Sequence, residues 1–312
     1  MSDILNYDKE GIRQAIFDLS SSNYLTNYEG EWCKDVSIII STFERPRCPL
    51  NLLRSIRQYY PTISILVCDS SKLPLFEDKQ EIPVNIHWFT LPYENGHTVG
   101  ASRNHLVKMC KTKYFFLCDD DHVFNKYTDL ARMYKFLENS DFDIVGGCQG
   151  KNDYGTAIFQ QEEDIVYQHF YQHHGLVEKG VVHCDRVSNS FMARTGSVFN
   201  VLWEDRVYAG EHAEFFLRAS KAGIKIAQMN NTYVGHNRNC ETATGITGKI
   251  FGWVLAHKDR KYQHQRDGID NIFGMDPEML EKKYCWEKNN IKKIVSVNSY
   301  MKKREFIKLM ND

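Results

Sequence analysis

Short apolar runs alternate along this chain with stretches of helical period. Val36 to Ile40 is a β-branched run that stops at the polar turn Ser41 to Pro49. A run of that length bounded by turn residues reads as a strand buried on both faces of a parallel sheet. Leu52, Leu53, Ile56 and Tyr60 then recur at helical spacing, which predicts a helix with one apolar face. A second strand is predicted from Thr62 to Cys68, closing on Asp69, and a third from Val84 to Phe89. A helix from about Gly100 to Cys110 leads to the strand Tyr114 to Cys118, which closes on Asp119, Asp120 and Asp121. A further helix near Tyr127 to Leu137 precedes the apolar segment DIVGG. Strands separated by helices require right-handed crossovers, so the predicted class is α/β, a mostly parallel sheet with helices on both faces.

Before and after this alternation the pattern changes. Residues 1–34 read as a polar leader with a short amphipathic helix around Ile12 to Leu19. From about residue 150 the regular spacing fails, and a mixed region carries VHCDRVSNSFMAR, the helix EHAEFFLRASKAG and IAQMNNTYVGHNR. Neither a repeat nor a low-complexity linker divides residues 35–260, so one two-lobed domain is expected, split near residue 150. Residues 261–312 read as a basic, helical tail. With 42% hydrophobic and 25% charged residues over 312 positions, the chain is globular. Its net charge of −1 excludes whole-surface attraction to nucleic acid or anionic membrane. The charge is uneven, because residues 281–312 hold nine Lys/Arg against four acids, leaving −6 for the rest. Nine cysteines without a C-x-x-C pair fit a reduced compartment better than a disulfide or zinc framework. Acidic residues near the N-terminus and the lack of any apolar stretch near ~20 residues lead us to expect a cytoplasmic protein, at most peripheral at the inner membrane face.

The acidic triplet is the strongest chemical signal. Three carboxylates at one strand end repel one another, and a hard divalent cation, Mg²⁺ or Mn²⁺, resolves the conflict with few protein ligands and open positions for phosphate oxygens. In an open α/β sheet, ligands bind outside the carboxyl ends of the strands, the edge where Asp69 and Asp119 to Asp121 should meet. Asp69 also suits a turn cap. The helix entry TVGASRNHLVK, carrying Arg103, invites phosphate at a helix N-terminus, yet it is neither G-x-G-x-x-G nor a P-loop. Glu211, Glu214 and Arg218 share a helical face, where a salt-bridge ladder is the plain alternative to catalysis. His236 follows an apolar segment, and His169 and His173 have zinc-pair spacing without an accompanying acid.

Taken in order, TFERP, VCDSS, GASRN, CDDDHVF, SNSFMAR, EHAEFFLRASKAG and YVGHNR resemble the nucleotide-sugar glycosyltransferases of the GT-A fold, within family two. They are most similar to the ganglioside-type β-1,4-N-acetylgalactosaminyltransferases, over about Val36 to Arg238. The resemblance implies an inverting transfer from a UDP-sugar, with residues 35–150 as the nucleotide-binding half and 151–260 as the acceptor and catalytic half. Thr42, Arg45 and Asp69 would line the uridine pocket. Arg103 would support the diphosphate or the acids, and Asp119 and Asp120 would meet ribose and sugar. Asp121 would hold the metal, with His236 as a further ligand. The family's acidic pair stands here as Glu211-His212, so the general base lies among Glu214, His212 and Glu211, in that order of expectation. A metal-dependent transferase moving GalNAc or GlcNAc to a glycan or lipid-linked glycan is thus expected, with weak anionic-membrane contact through the basic tail. The alternatives are a sugar-nucleotide-forming nucleotidyltransferase and a non-catalytic glycan- or nucleotide-binding module. The first would want a Gly-rich loop where STFERP stands.

Overall fold

The computed structural model describes residues 8–21, 27–71, 73–83, 85–91, 99–205, 211–237 and 293–311; Val84, Thr98 and most of the segment joining the mixed region to the tail lie outside them. Strand β1 (Val36–Thr42) leads to helix α2 (Arg47–Tyr59), after an N-terminal helix α1 (Lys9–Phe17). Then follow β2 (Ser64–Asp69), β3 (Gln80–Ile82), β4 (Ile86–Thr90), α3 (Val99–Met109), β5 (Tyr114–Asp119), β6 (His122–Val123) and α4 (Leu130–Glu138). The second half holds β7 (Ile144–Gln149), β8 (Ala157–Glu162), β9 (Ile165–Phe170), β10 (Gly175–Glu178), β11 (Val181–Cys184), β12 (Phe191–Arg194), α5 (Thr195–Phe199), α6 (Glu211–Lys221) and β13 (Ile226–His236). The C-terminal segment adds β14 (Lys293–Val297) and α7 (Tyr300–Asn311).

The β-branched run of β1 is buried along its length, and alternation assigns its residues to two cores. Ile38 and Ile40, with Ile65, Val67, Tyr114 and Phe116, face α1, α2 and α4 through Ile12, Ile16, Leu53, Ile56 and Met133. Ile39, Leu66, Phe115 and Leu117 face α3, α5 and α6 through Leu106, Val198, Phe215 and Phe216. Because strand side chains alternate with period two, a sheet covered on both faces needs apolar residues at every position. That is why the strands read as continuous runs.

The sheet order is β10-β11-β13-β7-β12-β5-β1-β2-β4-β3, with β6 paired to β13. β5, β1, β2 and β4 are mutually parallel, as expected. The sheet becomes mixed where β12 enters antiparallel between β5 and β7. A small second sheet, β14-β9-β8, stands apart.

The short amphipathic helix expected in the leader is α1, and Ile12, Ile16 and Leu19 are buried in the first core. The described part of the tail is not all helix, because Lys293–Val297 pairs parallel with β9. Helix α7 then packs Phe306 and Met310 against Cys148, Tyr154 and Val182, and the Asn230 amide donates to the Met310 carbonyl. Apolar residues interspersed with the lysines make this segment a packing element. Likewise His169 lies in β9 and His173 beyond it, so their spacing is not that of a helix. No helix among the described residues is long and apolar enough to cross a membrane.

If α7 is integral, Phe306→Ala should destabilise the fold by about 3 kcal/mol, the typical cost of truncating a buried aromatic, as read by urea unfolding. Unfolding unchanged from wild type would make α7 an appendage.

Candidate active site

Strand pairing gathers the chemistry. Thr42 stands opposite Asp69, and Ser41 opposite Asp119, at the carboxyl ends of β1, β2 and β5. β7 and β13 run in the same direction and end at Gln149 and His236. β12 runs against β5 and β7, so Asn189 and Ser190, just before it, arrive at that edge. The close pairing of Gly235 with Val123 and His236 with His122 ties the acidic loop to the end of β13. A Cβ on Gly235 would lie 3.3 Å from the Val123 carbonyl oxygen, tighter than most neighbours allow.

Each aspartate has its own partners. Asp119 accepts from Arg103 Nη2 at 2.9 Å and from Asn189 Nδ2 at 3.0 Å. Asp120 is buried, accepts from Thr42 Oγ1 at 2.7 Å and pairs with Arg45. Asp121 accepts from Arg45 Nη1 at 3.2 Å, and its Oδ2 lies 3.4 Å from His236 Nε2. Burial pushes the Asp120 carboxyl up to about 7, Arg45 and the Thr42 hydroxyl opposing and Asp121 adding to the rise. Burial acts in the same direction on Asp121, but the His236 hydrogen bond and the Arg45 charge outweigh it and hold that carboxyl at about 2. His122 wedges the loop: its Nδ1 accepts the Asp119 N–H at 3.1 Å, and its Nε2 lies 3.0 Å from the Gln149 amide. Burial lowers its pKa, so it stays neutral.

Helix α6 brings one member of this set. Glu211 Oε1 accepts from Arg103 Nη1 at 3.1 Å, so Arg103 bridges Glu211 and Asp119. His212 donates from Nε2 to the Val187 carbonyl at 2.7 Å, while its buried Nδ1 has no partner among the described residues. Burial drives the imidazole's pKa well below the ordinary histidine range, with Arg186 and Arg103 adding to the effect. The Arg186 guanidinium packs over the Phe170 ring at 5.1 Å, and its buried Nε has no hydrogen-bond partner among the described residues. Burial lowers its pKa to about 10, Glu211 opposing. Arg45 Nε, Arg103 Nε and Asn189 Oδ1 are likewise buried and without a hydrogen-bond partner among the described residues. Such concentration of unsatisfied polar atoms is rare in a finished core and is what a polar ligand relieves.

Thr42, Arg45, Arg103, Asp119, Asp120, Asp121 and His236 therefore converge. Asp69 reaches the same edge, but its two oxygens accept from the Ser71 and Leu75 N–H groups at 3.0 and 2.9 Å, the turn-cap arrangement; burial raises its pKa against these bonds. Glu214 is not delivered to the cluster. Its carboxylate is taken by Arg218, four residues on, through two guanidinium nitrogens. The shared face of Glu211, Glu214 and Arg218 thus splits between two arginines. Asn189 and Arg186 were missed in the sequence, where the polar stretch before FMAR was the only sign of them. Among the described residues no three His, Cys, Asp or Glu side chains converge as a metal cluster.

The family model described as Glycosyl transferase family 2 matches residues 37–199. The chain is 31% identical over 212 residues to Beta-1,4 N-acetylgalactosaminyltransferase 1 of Homo sapiens, covering 64% of this chain and 38% of that one. It is 30% identical over 188 residues to Beta-1,4 N-acetylgalactosaminyltransferase 2 of Mus musculus, covering 58% and 35%. The chain thus spans well under half the length of these curated relatives. Among solved structures it is similar to GalNAc-T7 with UDP, GalNAc and Mn2+, at TM-score 0.47 and 14% identity, covering 91% and 63%. Another is S. aureus TarS 1-349, at TM-score 0.44 and 13% identity, covering 82% and 73%.

The raised Asp120 pKa has a testable sign. The folded state holds the proton up to about 7, against 3.8 for an ordinary aspartate, so this group's stabilising contribution is full below about 4 and is lost as pH rises toward 7. In metal-free buffer, Asp120→Asn should gain stability relative to wild type as pH rises from 5 to 7. A difference independent of pH in denaturant unfolding would contradict it.

Proposed function

The chain belongs to glycosyl transferase family 2, and from that premise we propose that it moves an N-acetylhexosamine, GalNAc or GlcNAc, with inversion, from a UDP-sugar to a hydroxyl of a glycan or lipid-linked glycan. The observation that carries this is the strand-edge cluster, in which Asp119 to Asp121 meet Arg45, Arg103 and His236. The names of the curated relatives support the N-acetylhexosamine. On this reading Thr42 and Arg45 line the uridine side and Asp119 meets the ribose, while Asp69, spent on its turn, and Asp120, buried against Thr42 and Arg45, hold that edge in shape.

A divalent ion such as Mn²⁺ or Mg²⁺ fits the residues present. Asp121 and His236 offer a carboxylate and an imidazole directed at one another, and such ions take one or two protein ligands with phosphate and water completing the shell. When bound, the ion supplies counter-charge to the departing diphosphate. Arg45 and Arg103 keep the carboxylates apart and aimed, which is electrostatic preorganisation.

For the general base the geometry favours His212 over Glu214. Its Nδ1 lone pair is unengaged among the described residues, and the Val187 carbonyl holds Nε2–H and so orients the ring. His212 Nδ1 takes the acceptor hydroxyl proton as the oxygen attacks the anomeric carbon. Burial, with Arg186 and Arg103 adding to it, keeps this imidazole unprotonated and so able to accept a proton. The enzyme works in the cytoplasm with weak contact to anionic membrane, through the exposed Lys302, Arg304 and Lys308 of α7.

UDP titration with and without Mn²⁺, followed by UDP release from UDP-GalNAc and UDP-GlcNAc, tests the reading. Asp121→Ala should abolish the dependence of UDP affinity on Mn²⁺. His212→Ala should keep UDP binding but lose about 10²–10⁴ in transfer rate, the usual worth of a positioned base. Near-normal turnover in His212→Ala would remove it from that role. For the membrane contact, charge reversal at Lys302, Arg304 and Lys308 should abolish co-sedimentation with phosphatidylglycerol vesicles, each cation contributing about 1 kcal/mol. Equal sedimentation of both proteins would refute the contact.

A further inference from the structure

Glu214 is buried and spent on Arg218, and the arginine reaches further. Besides the carboxylate, its Nη1 donates to the Val201 carbonyl at 2.9 Å and its Nη2 to the Leu202 carbonyl at 2.7 Å. Leu202 has φ of 50°, in the left-handed region. A non-glycine residue there is strained and persists only where its surroundings hold it. The next residue, Trp203, is clamped to α3 at both backbone groups: its N–H donates to Asn104 Oδ1 at 2.7 Å, and Asn104 Nδ2 donates to its carbonyl at 2.8 Å. The indole stacks on Phe215 of α6 with ring centroids 4.1 Å apart. The Arg103 guanidinium carbon lies 5.6 Å from the same indole centroid. Arg103 is the residue that bridges Asp119 and Glu211.

We propose that Glu214 and Arg218 form a latch that holds the strained segment 201–203 so that Trp203 backs Arg103 and keeps its guanidinium aimed between Asp119 and Glu211. Glu214 is then a positioning residue, acting through Arg218, Trp203 and Arg103. The ion pair supplies the buried counter-charge, and the fork geometry of arginine lets one side chain meet a carboxylate and two carbonyls at once. A lysine at that position could not do so. Misaiming a charged group by a fraction of an ångström is enough to cost rate, since catalytic gain depends on held geometry. The kinetic consequence rests on the transfer reading above, whereas the latch itself does not.

The test compares Glu214→Gln and Arg218→Lys, each alone and with Arg103→Lys. It measures kcat/KM per folded enzyme, the pH–rate profile and hydrogen exchange at the Trp203 amide. Glu214→Gln should lower kcat/KM about 10- to 100-fold with both limbs of the pH profile unmoved. In the Arg103→Lys background the same change should cost under about 2-fold, because coupled residues are not additive. Exchange at Trp203 should rise about 10-fold or more while Ile39 and Leu117 keep their protection. Arg218→Lys leaves the buried carboxylate neutralised and should show the same pattern, smaller. Additive losses, or unchanged Trp203 exchange in both variants, would overturn the latch, and loss of a pH limb in Glu214→Gln would make Glu214 a base instead. Absence of any turnover in wild type would count against the transfer reading, and the Trp203 exchange rates then decide the latch by themselves.

Discussion

Three carboxylates held at the end of one buried strand govern the architecture around them. Left alone they would not all ionise, and the fold answers with two arginines from different elements. Arg45, from the turn after β1, takes Asp120 and Asp121, while Arg103, from α3, takes Asp119 and Glu211. Removing one partner of a buried pair typically costs about 3–5 kcal/mol, because the other charge is left stranded. The turn after β1, the entry to α3 and the start of α6 are therefore held in place by the same electrostatic problem. His122, neutral and buried, fixes the loop's backbone from beneath, and β13 closes it from the side.

That arrangement divides the acidic residues by burial. Asp120 is sealed and protonates readily, whereas Asp121 remains ionised beside His236 and Arg45. On the proposed reading, a diphosphate with its cation would meet one ionised carboxylate and an imidazole, with the arginines paired to the remaining carboxylates. Preorganisation of this kind costs no rearrangement when charge moves in a reaction. His212 Nδ1 and Arg186 Nε, without hydrogen-bond partners among the described residues, lie near Arg103, whose charge acts on the imidazole together with that of Arg186.

The parallel half of the sheet was legible because burial on both faces leaves no polar position in a strand, so Val36 to Ile40 and Tyr114 to Cys118 announce themselves. The strand β12 was not, because Phe191–Arg194 is four residues long and is recognisable as a strand only once β5 and β7 flank it. Lys293–Val297 was hidden by the lysines around it, and its pairing with β9 is a long-range event that local pattern does not encode. In the site, the aspartates and Arg103 could be named from position after a strand or at a helix entry, and Arg45 only from the family resemblance. Their pairing could not, since Arg45 and Arg103 reach across 76 and 16 residues to their carboxylates. For Glu214 the structure shows the salt bridge that was the plain alternative to catalysis: a partner four residues on takes the same carboxylate, and it also holds two backbone carbonyls.

The central claim is that this edge binds a nucleoside diphosphate together with a divalent cation held by Asp121 and His236. Pulsed electron paramagnetic resonance of Mn²⁺ added to the protein with UDP tests it most directly. The account predicts ¹⁴N modulation from a coordinated imidazole and ³¹P coupling from the diphosphate, with the nitrogen signal lost in His236→Gln and the phosphorus signal retained. A bound Mn²⁺ showing phosphorus coupling but no nitrogen modulation in the wild type, or nitrogen modulation that survives in His236→Gln, would contradict it.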